Sequence, residues 1–123
     1  MNRPIKFRVW DKRETKGMST KNMLYDAQLH HFWQDFVDYP GYELMQYTGL
    51  TDKNGKEIFE GDIIIDTQKQ KYEIIFDENH ARYDLKVCGE NKLREQTSYF
   101  TQIYEKKHIE VIGNIFENPE LLK

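Results

Sequence analysis

The chain has 123 residues and a mass of 14.9 kDa, enough for one hydrophobic core and too little for two ordinary ones, which predicts a single domain over residues 1–123. The formal net charge of −3 excludes the globally basic surface that draws proteins to nucleic acid or anionic membranes, although a local patch stays open. Aromatic residues make up 14% of the chain, which excludes a disordered protein and predicts a core built on large apolar side chains.

The first elements predicted along the chain are two strands joined by a loop. Apolar and polar residues alternate from Ile5 to Trp10, the period of a half-buried strand, with Trp10 on the polar side. The charged stretch over residues 11–19 predicts a hairpin loop, and residues 22–25 predict a short second strand.

Residues 26–39 carry the periodicity of a helix. Their apolar residues fall on one stripe of a 3.6-residue repeat, namely Leu29, Phe32, Trp33, Phe36 and Val37. Asp26 is a suitable N-cap, and Pro40-Gly41 supplies the stop. The density of aromatic residues also suits a pleated strand, so a helix is predicted with a strand as its alternative.

The centre of the chain predicts a hairpin that leads into a buried strand. Residues 44–50 form a strand candidate, and Asn54-Gly55 supplies the two positive-φ positions that a type I′ turn requires. The chain then restarts antiparallel at residues 58–59, bends at residues 60–62 and enters the aliphatic strand at residues 63–65.

Two strands with clean alternation follow, joined by a loop over residues 77–81. Their inward-facing residues are predicted to be Tyr72, Ile74 and Phe76 on the first strand and Tyr83, Leu85 and Val87 on the second. Residues 90–104 fit either a helical face or a strand face. The last strand, residues 109–116, contains Gly113, which predicts a bulge or a close backbone approach. A short terminal turn follows Asn118-Pro119.

Five to seven short strands, separated by Gly, Asn and Asp turns, predict a mainly β fold of the α+β type. We expect a small, bent antiparallel sheet that closes toward an SH3-like β-barrel, decorated by one or two short helices. The bend at residues 60–62, which enters an aliphatic strand followed by a hairpin, is the part most similar to such barrels.

Three blocks of the sequence resemble one known family. They are IKFRVWD at residues 5–11, QYTGLTDKNGKEIFEGDII at residues 46–64 and VIGNIFENPELL at residues 111–122. In this order they are similar to the YopX family of bacteriophage and prophage proteins, whereas residues 20–42 and 67–107 match no block of the family. The resemblance implies a phage-encoded cytoplasmic protein with a tendency toward homo-oligomers and no established enzyme activity, so no catalytic residue is carried over.

Candidate metal sites are better explained as structure. Asp52, Asn54 and Glu57 invite a calcium-loop interpretation, but Gly55 stands fourth where an EF-hand needs glycine sixth, and Lys56 occupies a ligand position. The histidines are too dispersed for a transition-metal cluster; they are His30, His31, His80 and His108. We therefore expect neither a metal nor a cofactor.

Catalytic patterns are equally weak. Ser19 and Ser98 lie in polar stretches without a nearby base, and the chain has neither a nucleophile elbow nor a phosphate-binding glycine motif. A magnesium-dependent nuclease could draw on Asp84 with Glu105-Lys106-Lys107, but such a charged triplet arises easily by chance in a chain that is 32% charged. The sequence predicts a protein that is not an enzyme.

The location expected from the sequence is the cytoplasm. Cys88 is the single cysteine, which excludes an intramolecular disulfide and fits a reducing compartment, and its neighbours offer no cation to acidify the thiol. The first residues lack the apolar run of a signal peptide, and the longest aliphatic run, residues 63–65, is too short to span a bilayer.

Binding remains the best-supported class of function. We expect a self-assembly or protein-interaction module, with a homo-oligomer and a host or phage protein as its partners, because exposed aromatic residues anchor interfaces. The alternative is a small β-barrel that holds nucleic acid by stacking and flanking cations. The candidate interaction surface consists of Arg8, Trp10, Tyr47, Arg82 and Lys86.

Overall fold

A computed structural model describes residues 5–12, 14–15, 18–19, 22–25, 41–89, 98–99 and 108–123. The chain forms two compact units, an N-terminal unit, Met1–Tyr47, and a C-terminal unit, Thr48–Lys123. The strands among the described residues are β1 Phe7–Asp11, β2 Glu14–Thr15, β3 Met18–Ser19, β4 Asn22–Tyr25, β5 Tyr42–Thr51, β6 Glu57–Phe59, β7 Asp62–Ile65, β8 Lys71–Asp77, β9 Arg82–Val87, β10 Ser98–Tyr99 and β11 Glu110–Asn114, followed by a 3₁₀ helix, Pro119–Leu122.

The predicted mainly β class with antiparallel pairing is confirmed. The terminal turn is present as the 3₁₀ helix. The helix predicted over residues 26–39 lies outside the described residues. Of residues 90–104 only Ser98–Tyr99 is described, and it is the strand β10, which pairs with β9.

In the N-terminal unit, β1 lies between β4 and the first part of β5 and pairs antiparallel with both. Val9 of β1 is fully buried against Phe7, Leu24 and Tyr42, as the alternation predicts for this strand. The charged stretch predicted as a hairpin loop contains the short β2–β3 ladder. A central strand has neighbouring strands on both sides, and their side chains cover part of its own side chains. Polar residues of such a strand can therefore be buried.

The C-terminal unit is built on a five-stranded sheet in the order β10-β9-β8-β7-β11. The hairpin formed by the end of β5 and β6 packs on one face of this sheet. The core between them comprises Ile58, Ile64, Ile74, Leu85, Ile109 and Val111, with Leu50, Tyr72 and Tyr83 packed at its edge. Each fully buried aliphatic side chain contributes roughly 1.5–3 kcal/mol to stability.

Most of the predicted inward set is confirmed, and one member is wrong. Ile74 and Leu85 face each other across β8 and β9 and are buried in this core. Phe76 continues the same face but is 42% exposed, because it lies toward the hairpin end of β8, beyond the buried cluster. Part of the opposite face of the sheet is also covered, since Ile63 and Asp84 are almost completely buried there.

Three hairpin loops of the C-terminal unit begin with an aspartate, at Asp52, Asp66 and Asp77. In each, the side-chain oxygen Oδ1 accepts a hydrogen bond from the backbone N–H two residues later, at 2.9 Å. This interaction is the reason aspartate starts turns so often. A residue with positive φ completes each loop; these residues are Gly55, Lys69 and Ala81.

The predicted type I′ turn at Asn54-Gly55 is wrong in its type. Only Gly55 has a positive φ, 80°, and the Gly55 N–H donates to the carbonyl oxygen of Asp52 at 3.0 Å. The Asp52 N–H in turn donates to Lys56 at 2.8 Å, the pattern of a three-residue loop with a bulged glycine. The bulge predicted at Gly113 is confirmed by the shift of register between Val111 and Gly113.

Candidate functional site

A polar cleft of about 250 Å³ lies at one end of the C-terminal unit. It is lined by Lys53, Ile65, Asp66, Thr67, Lys69, His108 and Glu110. These residues come from three segments: the β5–β6 loop, the β7–β8 loop, and the start of β11. Concave sites with a few converging polar groups are where small ligands bind, so this cleft is the first candidate.

The two loops that frame the cleft have the same local structure. In both, the aspartate Oδ1 accepts from the N–H groups two and four residues on, and the aspartate N–H donates to the carbonyl four residues on. The sequences DKNGK and DTQKQ therefore form equivalent turns. One turn contributes Lys53 to the cleft, and the other contributes Lys69.

The acidic residues of the cleft are already engaged. Asp66 accepts from the backbone N–H groups of Gln68 and Gln70, and its Oδ2 accepts from the Tyr72 hydroxyl at 3.2 Å. Glu110 forms an ion pair with Lys53, with 3.3 Å between Oε2 and Nζ. Both carboxylates of the cleft therefore have partners inside the fold.

An aromatic pair with one exposed member, Phe76, is the second candidate. Phe76 and Tyr83 face each other across β8 and β9, and their rings meet edge to face with centroids 5.3 Å apart. Such pairs contribute about 0.5–1.5 kcal/mol beyond the area they bury. In the loop that joins β8 to β9, His80 Nδ1 lies 2.6 Å from Asp77 Oδ2. This hydrogen bond holds the pKa of Asp77 below its usual value.

The other face of β8 and β9 carries charges that are partly removed from water. Glu73 lies opposite Lys86 in the ladder. Burial raises the pKa of Glu73, and the charge of Lys86 opposes the shift only in part. Burial also raises the pKa of the Cys88 thiol, and the nearby Glu73 adds to the effect. The thiol is therefore protonated at neutral pH, as expected for an unreactive cysteine.

Three residues of the predicted interaction surface lie in the N-terminal unit, and two of them are not available. Arg8 is 3% exposed because β1 is central and places it between Tyr25 and Met45. Tyr47 is 6% exposed, with the Lys6 Nζ 5.7 Å from its ring centroid. The expectation that these two side chains are exposed is wrong. Trp10 is partly buried and stays a candidate.

The remaining two predicted surface residues lie on β9 in the C-terminal unit. Lys86 is exposed. Arg82 is partly buried, and its Nε lies 3.2 Å from Oδ1 of Asp84, which is 1% exposed. Arg82 thus compensates a buried carboxylate, a role that limits its use toward a ligand.

The residues considered for catalysis and metal binding are described by the structure only in part. Asp84 is buried in its contact with Arg82, and its proposed partner Glu105 lies outside the described residues. Both carboxylate oxygens of Asp52 accept hydrogen bonds from backbone N–H groups. This supports the interpretation as a turn and not as a calcium-binding loop. Within the described ranges, no group of three His, Cys, Asp or Glu side chains is placed to share a metal ion.

Sequence reasoning missed the cleft and the exposure of Phe76. A signal for the cleft was present, since DKNGK and DTQKQ share an aspartate followed by a lysine within one turn. What joins them is the pairing of β7 with β11, which brings His108 and Glu110 to both loops. That pairing is long-range, and no local pattern in the sequence reveals it.

These features define a small, mainly β protein whose buried carboxylates organise turns. The family model described as YopX protein matches residues 6–123, and the chain belongs to this family. It is also similar to the crystal structure of protein EF1440 from Enterococcus faecalis, with 26% sequence identity, a TM-score of 0.57, and coverage of 99% of this chain and 100% of that chain. No curated protein matches it. Within the described part of the chain, no helix has the length and hydrophobicity needed to cross a membrane.

Proposed function

We propose that this protein is a non-enzymatic interaction module that associates with a second copy of itself through a surface centred on Phe76. The observation that carries the proposal is the 42% exposure of Phe76 on the face that otherwise forms the core. Tyr83 holds the Phe76 ring edge to face, so the aromatic side chain is ordered before it binds. A rigid aromatic anchor of this kind loses little conformational entropy in an interface.

The partner proposed for this surface is a second copy. A two-fold interface places the same patch against itself, so the exposed aromatic ring of one copy packs against that of the other and both leave water. Arg82 takes no part in this contact, because it belongs to the next pair of the ladder, on the opposite face, and compensates Asp84.

The buried carboxylates support a role without catalysis. Asp52 and Asp62 are 1% and 2% exposed, and both accept hydrogen bonds from backbone N–H groups of neighbouring turns. Asn114 likewise accepts from Phe116 and Glu117. These groups stabilise loops, and none of them needs to change its protonation state for that task.

Sedimentation velocity tests the self-association. We expect a dimer at micromolar concentration for the wild type and a monomer for Phe76→Ser, since loss of a central aromatic anchor costs about 2 kcal/mol or more. Leu122→Ser is the matched control, because Leu122 is also an exposed large apolar residue, 37% exposed, and lies in the terminal 3₁₀ helix. Circular dichroism confirms that both variants fold.

A monomeric wild type would exclude self-association. Loss of the dimer in Leu122→Ser but not in Phe76→Ser would move the interface away from the aromatic pair. If the wild type is monomeric, capture of a host or phage protein that depends on Phe76 would retain the interaction module with a different partner.

The setting of the proposed module is a bacteriophage or prophage and the cytoplasm of its host. The resemblance of the three sequence blocks to phage-encoded proteins supports this setting. Phage genes flanking the coding sequence, and recovery of the protein in the soluble fraction of lysed host cells, are the results we expect. Recovery with the membrane fraction would contradict the location.

Nucleic-acid binding through Trp10 and the cations Arg8, Arg82 and Lys86 has less support. Of the cations assigned to it, Arg8 is buried and Arg82 compensates Asp84. This alternative predicts a mobility shift of labelled DNA that weakens steeply with salt and with Trp10→Ala. A shift of that kind would favour it over self-association.

A further inference from the structure

We infer that the polar cleft of the C-terminal unit binds a small phosphate-bearing anion, with Lys53 and Lys69 as its cationic ligands. This site is separate from the proposed Phe76 surface and does not depend on self-association. Its two lysines come from the two equivalent aspartate turns, and His108 lines the cleft with them.

Two lysines and two carboxylates line the cleft, and both carboxylates are already engaged. Asp66 accepts from the N–H groups of Gln68 and Gln70 through Oδ1 and from the hydroxyl of Tyr72 through Oδ2, so both of its oxygens are occupied. Glu110 offsets only Lys53. The amino group of Lys69 therefore adds positive charge that no carboxylate of the cleft is committed to neutralise. Ammonium groups bind phosphate oxygens by charge-assisted hydrogen bonds.

The backbone at Lys69 provides a second argument. Lys69 has φ of 68°, the left-handed conformation that glycine adopts readily and lysine does not. The equivalent position of the other turn is Gly55, with φ of 80°. A lysine held in this conformation costs stability, and such costs are concentrated at positions where the side chain has a function.

The size of the cleft restricts the ligand. Pockets for drug-sized ligands span roughly 300–1,000 Å³, and this cleft has about 250 Å³. Ile65 is the one aliphatic residue among those that line it, and the others carry polar or charged groups. A single phosphate group, alone or as the end of a monoester, matches both the size and the charge.

Titration calorimetry with inorganic phosphate tests the site at low salt. We expect Lys69→Gln to weaken binding about tenfold through loss of one charge-assisted contact. Lys53→Gln should weaken it further, because Glu110 then loses its partner. Glu110→Gln should strengthen it, a result that an unfolded variant cannot produce. Lys56→Gln is the matched control, since Lys56 is an exposed lysine of the same hairpin that does not line the cleft.

Adenosine monophosphate and phosphoserine, titrated in parallel, identify the source of the phosphate. Tighter binding of one ester than of inorganic phosphate assigns the ligand to that class, and equal binding assigns it to free phosphate. The inference is overturned if phosphate shows no binding up to about 10 mM, the range of very weak affinity. It is equally overturned if Lys56→Gln weakens binding as much as Lys69→Gln, which would indicate only general attraction.

Discussion

The carboxylate of Asp52 accepts a hydrogen bond from the backbone N–H of Val111, 59 positions away in the chain, at 2.9 Å. The same carboxylate accepts from Asn54 and Lys56 within its own turn. The Lys53 N–H donates to the carbonyl of Ile109 beside it. β11 is the last strand of its sheet, and one of its edges faces away from β7. The turn at Asp52 supplies hydrogen-bond partners for the Val111 N–H and the Ile109 carbonyl, which would otherwise be unpaired backbone groups at this edge.

Asp52→Ala should therefore destabilise the protein more than the loss of an aspartate that stabilises only its own turn. Three N–H groups lose their acceptor, and the one on Val111 is buried, so we expect a loss of about 3 kcal/mol in the free energy of unfolding. Urea denaturation measures it. Asp66→Ala is the matched control, because Asp66 starts an equivalent turn at a more exposed position, and about 1 kcal/mol is expected there. Equal losses would contradict the special role of the Val111 contact.

The same contacts predict a dependence of stability on acid pH. Burial acts to raise the pKa of Asp52, but the hydrogen bonds from Val111, Lys56 and Asn54 outweigh it and hold the pKa below its ordinary value of 3.8. A carboxyl whose pKa is lowered by folding stabilises the native state above its unfolded-state pKa. That stabilisation is lost as the pH falls through the folded-state pKa.

Urea denaturation of the wild type and Asp52→Asn between neutral pH and about pH 2.5 measures this effect. We expect the advantage of the wild type to be constant above about pH 5 and to shrink toward the acid end. A difference between the two proteins that does not change with pH would exclude the lowered pKa.

The residues that sequence patterns placed correctly are those whose reasons are local. Alternation identified Ile74 and Leu85 as inward-facing, and the lack of a side chain at Gly113 indicated its bulge. Alternation tells which residues share a face, but not whether that face is covered. Arg8 and Tyr47 were therefore misjudged, because their burial depends on neighbouring strands and not on their own pattern.

The turn at Asn54-Gly55 and the cleft show two other limits. The Asn-Gly pair suits both a type I′ turn and a loop with a bulged glycine, and Asp52 decides between them by accepting two N–H groups of the turn. The cleft needs Lys53, Lys69 and His108 in one place, which only the assembled sheet provides. Local preference cannot predict such convergence.

Glu73 predicts a pH dependence of the opposite sign. Burial raises its folded-state pKa above the ordinary value of 4.5, so the native state prefers the protonated form. Its stabilising contribution is present below the unfolded-state pKa and is lost as the pH rises through the raised pKa. We expect Glu73→Gln to match the wild type near pH 4 and to be the more stable protein at pH 7, by thermal denaturation at both values. A variant less stable at pH 7 would show that the contact with Lys86 outweighs burial.

The two left-handed turn positions predict mutations with opposite effects. Lys69→Gly should stabilise the protein by about 0.5–1 kcal/mol, because glycine adopts a positive φ without steric cost. Gly55→Ala should destabilise it by about 1 kcal/mol. A Cβ at Gly55 would meet nothing within 4 Å, so that loss reports the backbone alone. Both values come from urea denaturation, and two changes of the same sign would contradict the equivalence of the turns.

The close packing at Gly113 predicts a steric defect that a second mutation relieves. A Cβ at this position would lie 2.5 Å from Oδ1 of Asn118 and 2.9 Å from Cδ1 of Leu121. Asn118 cannot move without loss, since its Oδ1 accepts from the Asn114 N–H at 3.2 Å. We expect Gly113→Ala to cost about 2 kcal/mol, the usual range for overpacking.

Asn118→Ala removes the obstructing oxygen and should cost about 1 kcal/mol by itself through the lost hydrogen bond. The double mutant, Gly113→Ala with Asn118→Ala, should then lose clearly less than the sum of the two, because the clash with Asn118, the closer of the two, no longer exists. Urea denaturation of the three variants gives the coupling energy. Additive losses would show that the strain at Gly113 arises elsewhere, with Leu121 as the next residue to truncate.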